Sequence, residues 1–259
     1  MVAVVEGYVY DTSFDGERAR LAGMEAQWDP GTFRHIEALG LPAEASCWEI
    51  GAGGGSVAAW LAERSGRLVV TDVDTRFVDH LASERIAVER HDVVADPTPE
   101  GPFDLIHARL LLEHLPARDE VLDRLVAALR PGGWLLIEDY DWTSYGSEPA
   151  AEAVQRVGAA ILEFMTEAGF DPYLGRRLRG ALEQRDLSDA SAEGRLLVMR
   201  SDHPGAAFYR LSIVSLRDAV AERGTVTEAE IDEALAAIDT GELTLVSPTM
   251  VAAWGRSAG

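Results

Sequence analysis

Residues 49–55 read Glu-Ile-Gly-Ala-Gly-Gly-Gly, behind a short apolar run at 46–51 (SCWEIG) and ahead of an amphipathic one at 55–65 (GSVAAWLAERS). Glycine lets the main chain turn tightly and lets a ligand approach it closely, so a Gly-rich strand-to-helix turn is suited to nucleotides of several kinds. A dinucleotide fingerprint needs glycine at 51, 53 and 56, and position 56 is Ser. The glycines at 51, 53 and 55, preceded by Glu49, make a different register. Asp72 ends the apolar run RLVVTD, where a carboxylate can accept hydrogen bonds from both hydroxyls of a ribose. Asp92 follows a third such run, in HDVV. Asp72 and Asp74 also have a plainer use as helix N-caps. We assign the cap of a helix from about Arg76 to Asp74 and the ribose to Asp72.

These residues need a frame. Apolar runs at 46–51, 67–72, 86–91, 103–107 and 134–138 read as strands, and helical patterns follow at 55–65, from about 76, and at 120–129, the last stopped by Pro131-Gly132-Gly133. Strands alternating with helices predict a parallel, doubly wound α/β sheet. Before it, residues 16–40 read as two helices separated by Asp29-Pro30-Gly31. After it come a long amphipathic helix at 149–168, strands at 195–199 and 243–254, and two helices at about 205–222 and 227–239.

Composition excludes whole classes of chemistry. All 23 basic residues are Arg; there is no Lys and no Asn, the mark of a GC-rich genome. No Schiff-base lysine, P-loop lysine or Cys-His-Asn protease is available. The net charge of -21 disfavours a nucleic-acid backbone or an anionic membrane as partner. The single cysteine, Cys47, lies in an apolar strand and reads as core. No apolar run approaches the ~18 residues of a membrane span, and the first residues lack the form of a secretory signal, so a cytoplasmic protein is expected.

In register, Glu49-x-Gly51-x-Gly53-x-Gly55, Asp72, Asp92, FDLIHARLLLEHL at 103–115 and LRPGGWLLIED at 129–139 resemble the class I S-adenosylmethionine-dependent methyltransferases. The likeness is to the ubiquinone/menaquinone-type branch and its bacterial small-molecule relatives, and it spans about residues 45–140. It implies a Rossmann-like seven-stranded sheet, its last strand pair antiparallel. Residues 1–44 would form an N-terminal helical arm, 45–144 the cofactor-binding core, and 145–259 the rest of the core with a helical substrate lid.

The resemblance further implies that S-adenosyl-L-methionine binds at Glu49, Gly51, Ala52, Gly53, Asp72, Val73, Asp92, Val93, His107 and Ala108. Asp92 would accept from the adenine amino group and Val93 pack on the ring. S-adenosyl-L-homocysteine would be the product. Substrate-pocket candidates are Tyr8, Tyr10, Arg109, Asp139, Tyr140, Asp141 and Trp142, and candidate bases are His114, Tyr10 and Tyr140. Arg176, Arg177 and Arg179 form a basic cluster that reads first as a solvated helical face and second as a reader of an acidic acceptor.

Absences prune the class. There is no cysteine beyond the fourth strand, no (Asp/Asn)-Pro-Pro-aromatic tetrapeptide after it, and no Asn for a metal triad. A metal-independent O-, N- or C-methylation of a small molecule is expected, in a monomer or homodimer. Aromatic natural products are the implied acceptors. Two rivals stay open, a non-methylating use of the cofactor such as cyclisation and a non-catalytic binding protein.

Overall fold

The computed structural model describes Tyr10 and residues 14–149 and 151–258. Tyr8 lies outside them. The chain enters through α1 (Glu17–Ala38), one helix that runs through Pro30 where a break was expected. Pro30 costs the helix a backbone hydrogen bond, but the residues around it are anchored elsewhere. Trp28 Nε1 donates to Tyr140 Oη (2.7 Å), and Asp29 accepts from Arg109 Nη2 and Ser56 Oγ (2.9 Å each). These tertiary contacts hold the helical course that the local signal opposes.

The seven-stranded sheet has the order β3-β2-β1-β4-β5-β10-β7. Its strands are β1 (Ser46–Ile50), β2 (Arg67–Asp72), β3 (Ile86–Arg90), β4 (Phe103–Arg109), β5 (Leu129–Asp141), β7 (Ser188–Arg195) and β10 (Thr249–Arg256). β1 to β5 run parallel, and β10 pairs antiparallel with both β5 and β7. Every residue of β1 and β4 is buried, as befits strands covered on two faces. Cys47, Leu105 and Leu136 pack on one face with α2 (Ser56–Ala62) and the end of α1. Trp48, Ile106 and Leu135 pack on the other with α3 (Arg118–Ala128) and α5 (Gly175–Glu183).

The helix expected from Arg76 is absent. Between β2 and β3 there is only a 3-10 turn at Asp79–Leu81, and Asp74 Oδ1 caps the preceding turn at Arg76 N (3.2 Å). β3 is an edge strand with no fully buried residue, so it offers little apolar surface for a helix to cover. The strand expected at 195–199 is also displaced. The main sheet takes Ser188–Arg195 instead, and β8 (Val198–Arg200) joins a small antiparallel sheet with β6 (Gly146–Glu148) and β9 (Thr244–Val246). The run at 243–254 is therefore two strands, divided at Ser247-Pro248 where proline cannot donate to a ladder.

Beyond the sheet, α4 (Glu152–Glu167), α6 (Ala207–Glu222) and α7 (Glu228–Asp239) pack with α1 around Val157, Ile213, Leu216 and Ile231. A capping box of Thr227 and Glu230 starts α7. Among the described residues no helix is long and apolar enough to cross a membrane.

Candidate active site

Strand order reverses between β1 and β4, and in an open parallel sheet ligands bind outside the carboxyl ends at that point. A cleft enclosing about 1220 Å³ of non-atom space, its mouth included, opens there.

One end of the cleft is built by loops. Gly51 and Gly55 adopt φ of +66° and +90°, a region that side chains disfavour, and a Cβ on Gly55 would meet Val78 Cγ1 at 2.7 Å. The turn brings Gly53 N to Asp72 Oδ2 (2.8 Å), while Asp74 N donates to Oδ1 (2.9 Å). Burial raises the Asp72 carboxyl above its usual range, against the pull of these two N–H groups. Gly51, Gly53, Asp72, Val73, Asp92 and Val93 all line this end. So do His91, Asp74 and Phe77.

The other end is walled by rings. Tyr10, His114, Tyr140, Trp142, Phe170 and Phe208 line it with Met24 and Met165. Arg109 reaches the wall but is held by Thr32 Oγ1 and Asp29 Oδ1 at 2.9 Å each. Arg20 lies over the Tyr10 ring (4.1 Å) and makes a buried two-pronged pair with Glu17 (2.7 and 2.8 Å). Burial holds His114 down at about 3, with Arg20 and Arg118 adding to the effect, so its ring is neutral.

Two carboxyl groups stitch the loop after β4 to the end of β5. Glu113 Oε2 accepts from Tyr140 N, and Asp139 Oδ1 accepts from Leu111 N (3.0 Å each). Burial pushes both carboxyl groups upward, and the charge of Asp139 adds to the push on Glu113. Leu110, at the start of this loop, sits at φ +53°, a strained value for a branched side chain that the stitching holds in place.

Several expected residues are not in the wall. Glu49, Ala52, His107, Ala108, Asp139 and Asp141 do not line the cleft. His107 and Glu49 sit beneath it, in register on β4 and β1. His107 lies 2.6 Å by Nδ1 from Glu49 Oε2 and 3.4 Å by Nε2 from Glu138 Oε2. Burial opposes its charge, but the two carboxylates prevail and raise it to about 9. Glu138 also takes Thr32 Oγ1 and Arg195 Nη2. Burial works against its ionisation too, yet His107 and the arginines hold it down at about 2. The result is a buried charged column, in which His107 is a doubly donating ring that does not line the cleft. Asp141 is tied at the surface to Arg176. Arg177 and Arg179 are likewise exposed and paired, with Asp171 and Glu183, the solvated face that their pattern suggested. Asp104 accepts from Ser46 N (2.7 Å) and pairs with Arg130, a structural role.

Sequence reasoning missed Glu17, Arg20, Met24, Glu113, Phe170 and Phe208 as wall residues. They come from α1, α6 and loops distant in the chain, and no local spacing marks them.

The model of a methyltransferase domain matches residues 23–192. The chain belongs to the methyltransferase-domain family. Over 100 residues it is 38% identical to methyltransferase str2 of Strobilurus tenacellus, covering 37% of this chain and 36% of that one. Over 110 residues it is 30% identical to 27-O-demethylrifamycin SV methyltransferase of Amycolatopsis mediterranei, covering 42% and 39%. The matches thus span well under half the length of these curated relatives. Phosphoethanolamine N-methyltransferase 2 of Haemonchus contortus, solved with S-adenosyl-L-methionine, shares the fold, with a TM-score of 0.54 and 15% identity over 89% of this chain and 52% of that one. Among the described residues no group of three or more His, Cys, Asp or Glu side chains is placed to hold a metal ion.

Proposed function

We propose that this protein transfers the methyl group of S-adenosyl-L-methionine to a small-molecule acceptor and releases S-adenosyl-L-homocysteine. The observation that carries the reading is the Asp72 carboxylate, fixed by Gly53 N at the end of β2 and facing an open cleft at the switch point of the sheet. The residues present fit the cofactor: Asp72 would accept from the ribose, and Asp92 and Val93 would hold the adenine. Gly51 and Gly53 would leave room for close approach. When bound, the sulfonium supplies a methyl carbon that is already electrophilic. The protein's own task is then to orient the two ligands and exclude water.

A proton acceptor is needed only if the acceptor must lose a proton. His114, buried as a neutral ring of very low basicity, is poorly tuned for that work. Tyr140 is occupied by Trp28, and burial raises both Tyr140 and Tyr10. Glu113 lines the cleft with a carboxyl pushed upward, and it is the better assigned of these groups. The reading places the protein in the cytoplasm as a monomer or homodimer, without nucleic-acid or membrane partners.

Calorimetric titration tests it. S-adenosyl-L-methionine should bind and NAD should not, and Asp72→Ala should weaken the cofactor by about 1–3 kcal/mol, the loss of hydrogen bonds to a charged acceptor. Unchanged affinity rejects the ribose role. Methyl-labelled cofactor that never labels an added acceptor, though it binds, counts against transfer.

A further inference from the structure

We propose that the ring-walled end of the cleft and a smaller cavity behind it form one chamber for an uncharged ring compound that bears an oxygen acceptor and an apolar extension. Naming this compound the methyl acceptor rests on the reading above; the chemistry of the chamber does not.

Continuity is the first observation. The second cavity, about 400 Å³ by the same measure, lies between α4 and α6 and shares Tyr10, Trp142, Met165 and Phe208 with the cleft. Beyond these it is walled by Tyr145, Ile161, Leu162 and Ile213. A ring held beside Trp142 and Phe208 could extend into this mostly apolar cavity, whose further polar groups are the hydroxyls of Tyr145, Tyr209 and Ser212.

The second observation is the charge of the wall. Glu17 and Arg20 cancel in a buried bidentate pair, and Arg109 is spent on Asp29 and Thr32. His114 stands between the Tyr10 and Phe170 rings, at 6.4 and 5.0 Å between centroids, where a cation would be desolvated. Burial favours the neutral form of both His114 and Glu113. An ionised ligand would lose its water here and gain no counter-charge in return, so the chamber selects against it. The third observation is a donor. Trp142 lines both cavities, and its buried Nε1 has no hydrogen-bond partner among the described residues. A buried indole N–H ordinarily has a partner, and an oxygen on the ligand would supply one.

Binding to the full chain, read by tryptophan fluorescence and calorimetry without cofactor, tests the chamber. The probes are phenol, 4-butylphenol, 4-butylbenzoate and butylbenzene. Affinity should rise at least about tenfold from phenol to 4-butylphenol, because the added methylenes leave water. The 4-butylbenzoate anion should bind at least about tenfold more weakly than 4-butylphenol. Leu162→Trp, which narrows the second cavity from its edge, should flatten the length dependence and leave phenol binding as it was. Trp142→Phe keeps a ring but removes the donor; it should weaken 4-butylphenol by about 5- to 10-fold and spare butylbenzene. Equal binding of benzoate and phenol, or no gain with chain length in the wild type, overturns the proposal. Titration with S-adenosyl-L-methionine separates the two readings. A protein that binds the cofactor but shows a flat phenol series loses the chamber alone. One that binds the phenols but not the cofactor keeps the chamber and loses the methyltransferase reading.

Discussion

His107 and His114 stand seven positions apart, and both are buried. One is a cation and the other is neutral. His107 lies among carboxylates, where Glu49 and Glu138 outweigh the cost of burying charge and hold the proton to about 9. His114 lies against Tyr10 and Phe170, where burial, with Arg20 and Arg118, outweighs any stabilisation of the charge and the ring is neutral down to about 3. The first belongs to a column that ties strands and α1 together under the site. The second belongs to the wall of the cleft. Residue type thus sets what a side chain can do, and the packing of distant segments sets which of its forms is present.

The contrast can be broken experimentally, most forcefully at the column. His107→Leu leaves Glu49 and Glu138 facing each other without the imidazolium, and stability should fall by about 3–5 kcal/mol, the cost of an uncompensated buried charge. Denaturant unfolding at pH 7 measures it, and a loss below about 1 kcal/mol would show that the column does not depend on the cation. The pH profile sharpens the same point. His107 is raised from 6.5 to about 9, so its contribution, on the order of 3 kcal/mol, is present in full below pH 6.5 and is lost as pH rises through 9. A stability curve flat from pH 7 to 10 would exclude the charged form. His114 has the opposite sign. Its depressed value means that stability is lost as pH falls below 6.5, by about 2 kcal/mol at pH 5. His114→Phe keeps the ring contacts and should remove that share of the acid-side loss, read as the difference between the two unfolding curves. Parallel curves would mean that His114 is solvated after all.

The sheet and glycine turn are legible because buried parallel strands must be continuous apolar runs, and because positive φ selects glycine at 51 and 55. Where those constraints relax, legibility goes too. RLLVM reads as a strand, yet Leu196 and Val198 are 43% and 64% exposed, while the polar segment 188–195 takes the sheet edge through backbone pairing, the packing of Ala190 and Ala192, and the Arg195–Glu138 pair. Pro30 marks a break that Asp29 and Trp28 override from outside the helix. At the site, alternation along β4 puts His107 with Leu105 and Arg109 on one face, but it does not say whether that face meets a ligand or α1. The aromatic wall is the least legible part. Phe170 and Phe208 are brought to it by the packing of α4 and α6, and no spacing within either segment records the meeting.

The column under the cleft also has an order in time. Glu138 draws its hydrogen-bond donors from positions 32, 107 and 195, the last two of them cations. A chain emerging from the ribosome presents the glycine turn and Asp72 early, but it cannot complete the salt linkage beneath them until Arg195 has left the exit tunnel. The floor of the site is therefore finished only after β7 has emerged, so a nascent chain paused between β5 and β7 would carry the nucleotide-side loop over an unfinished base.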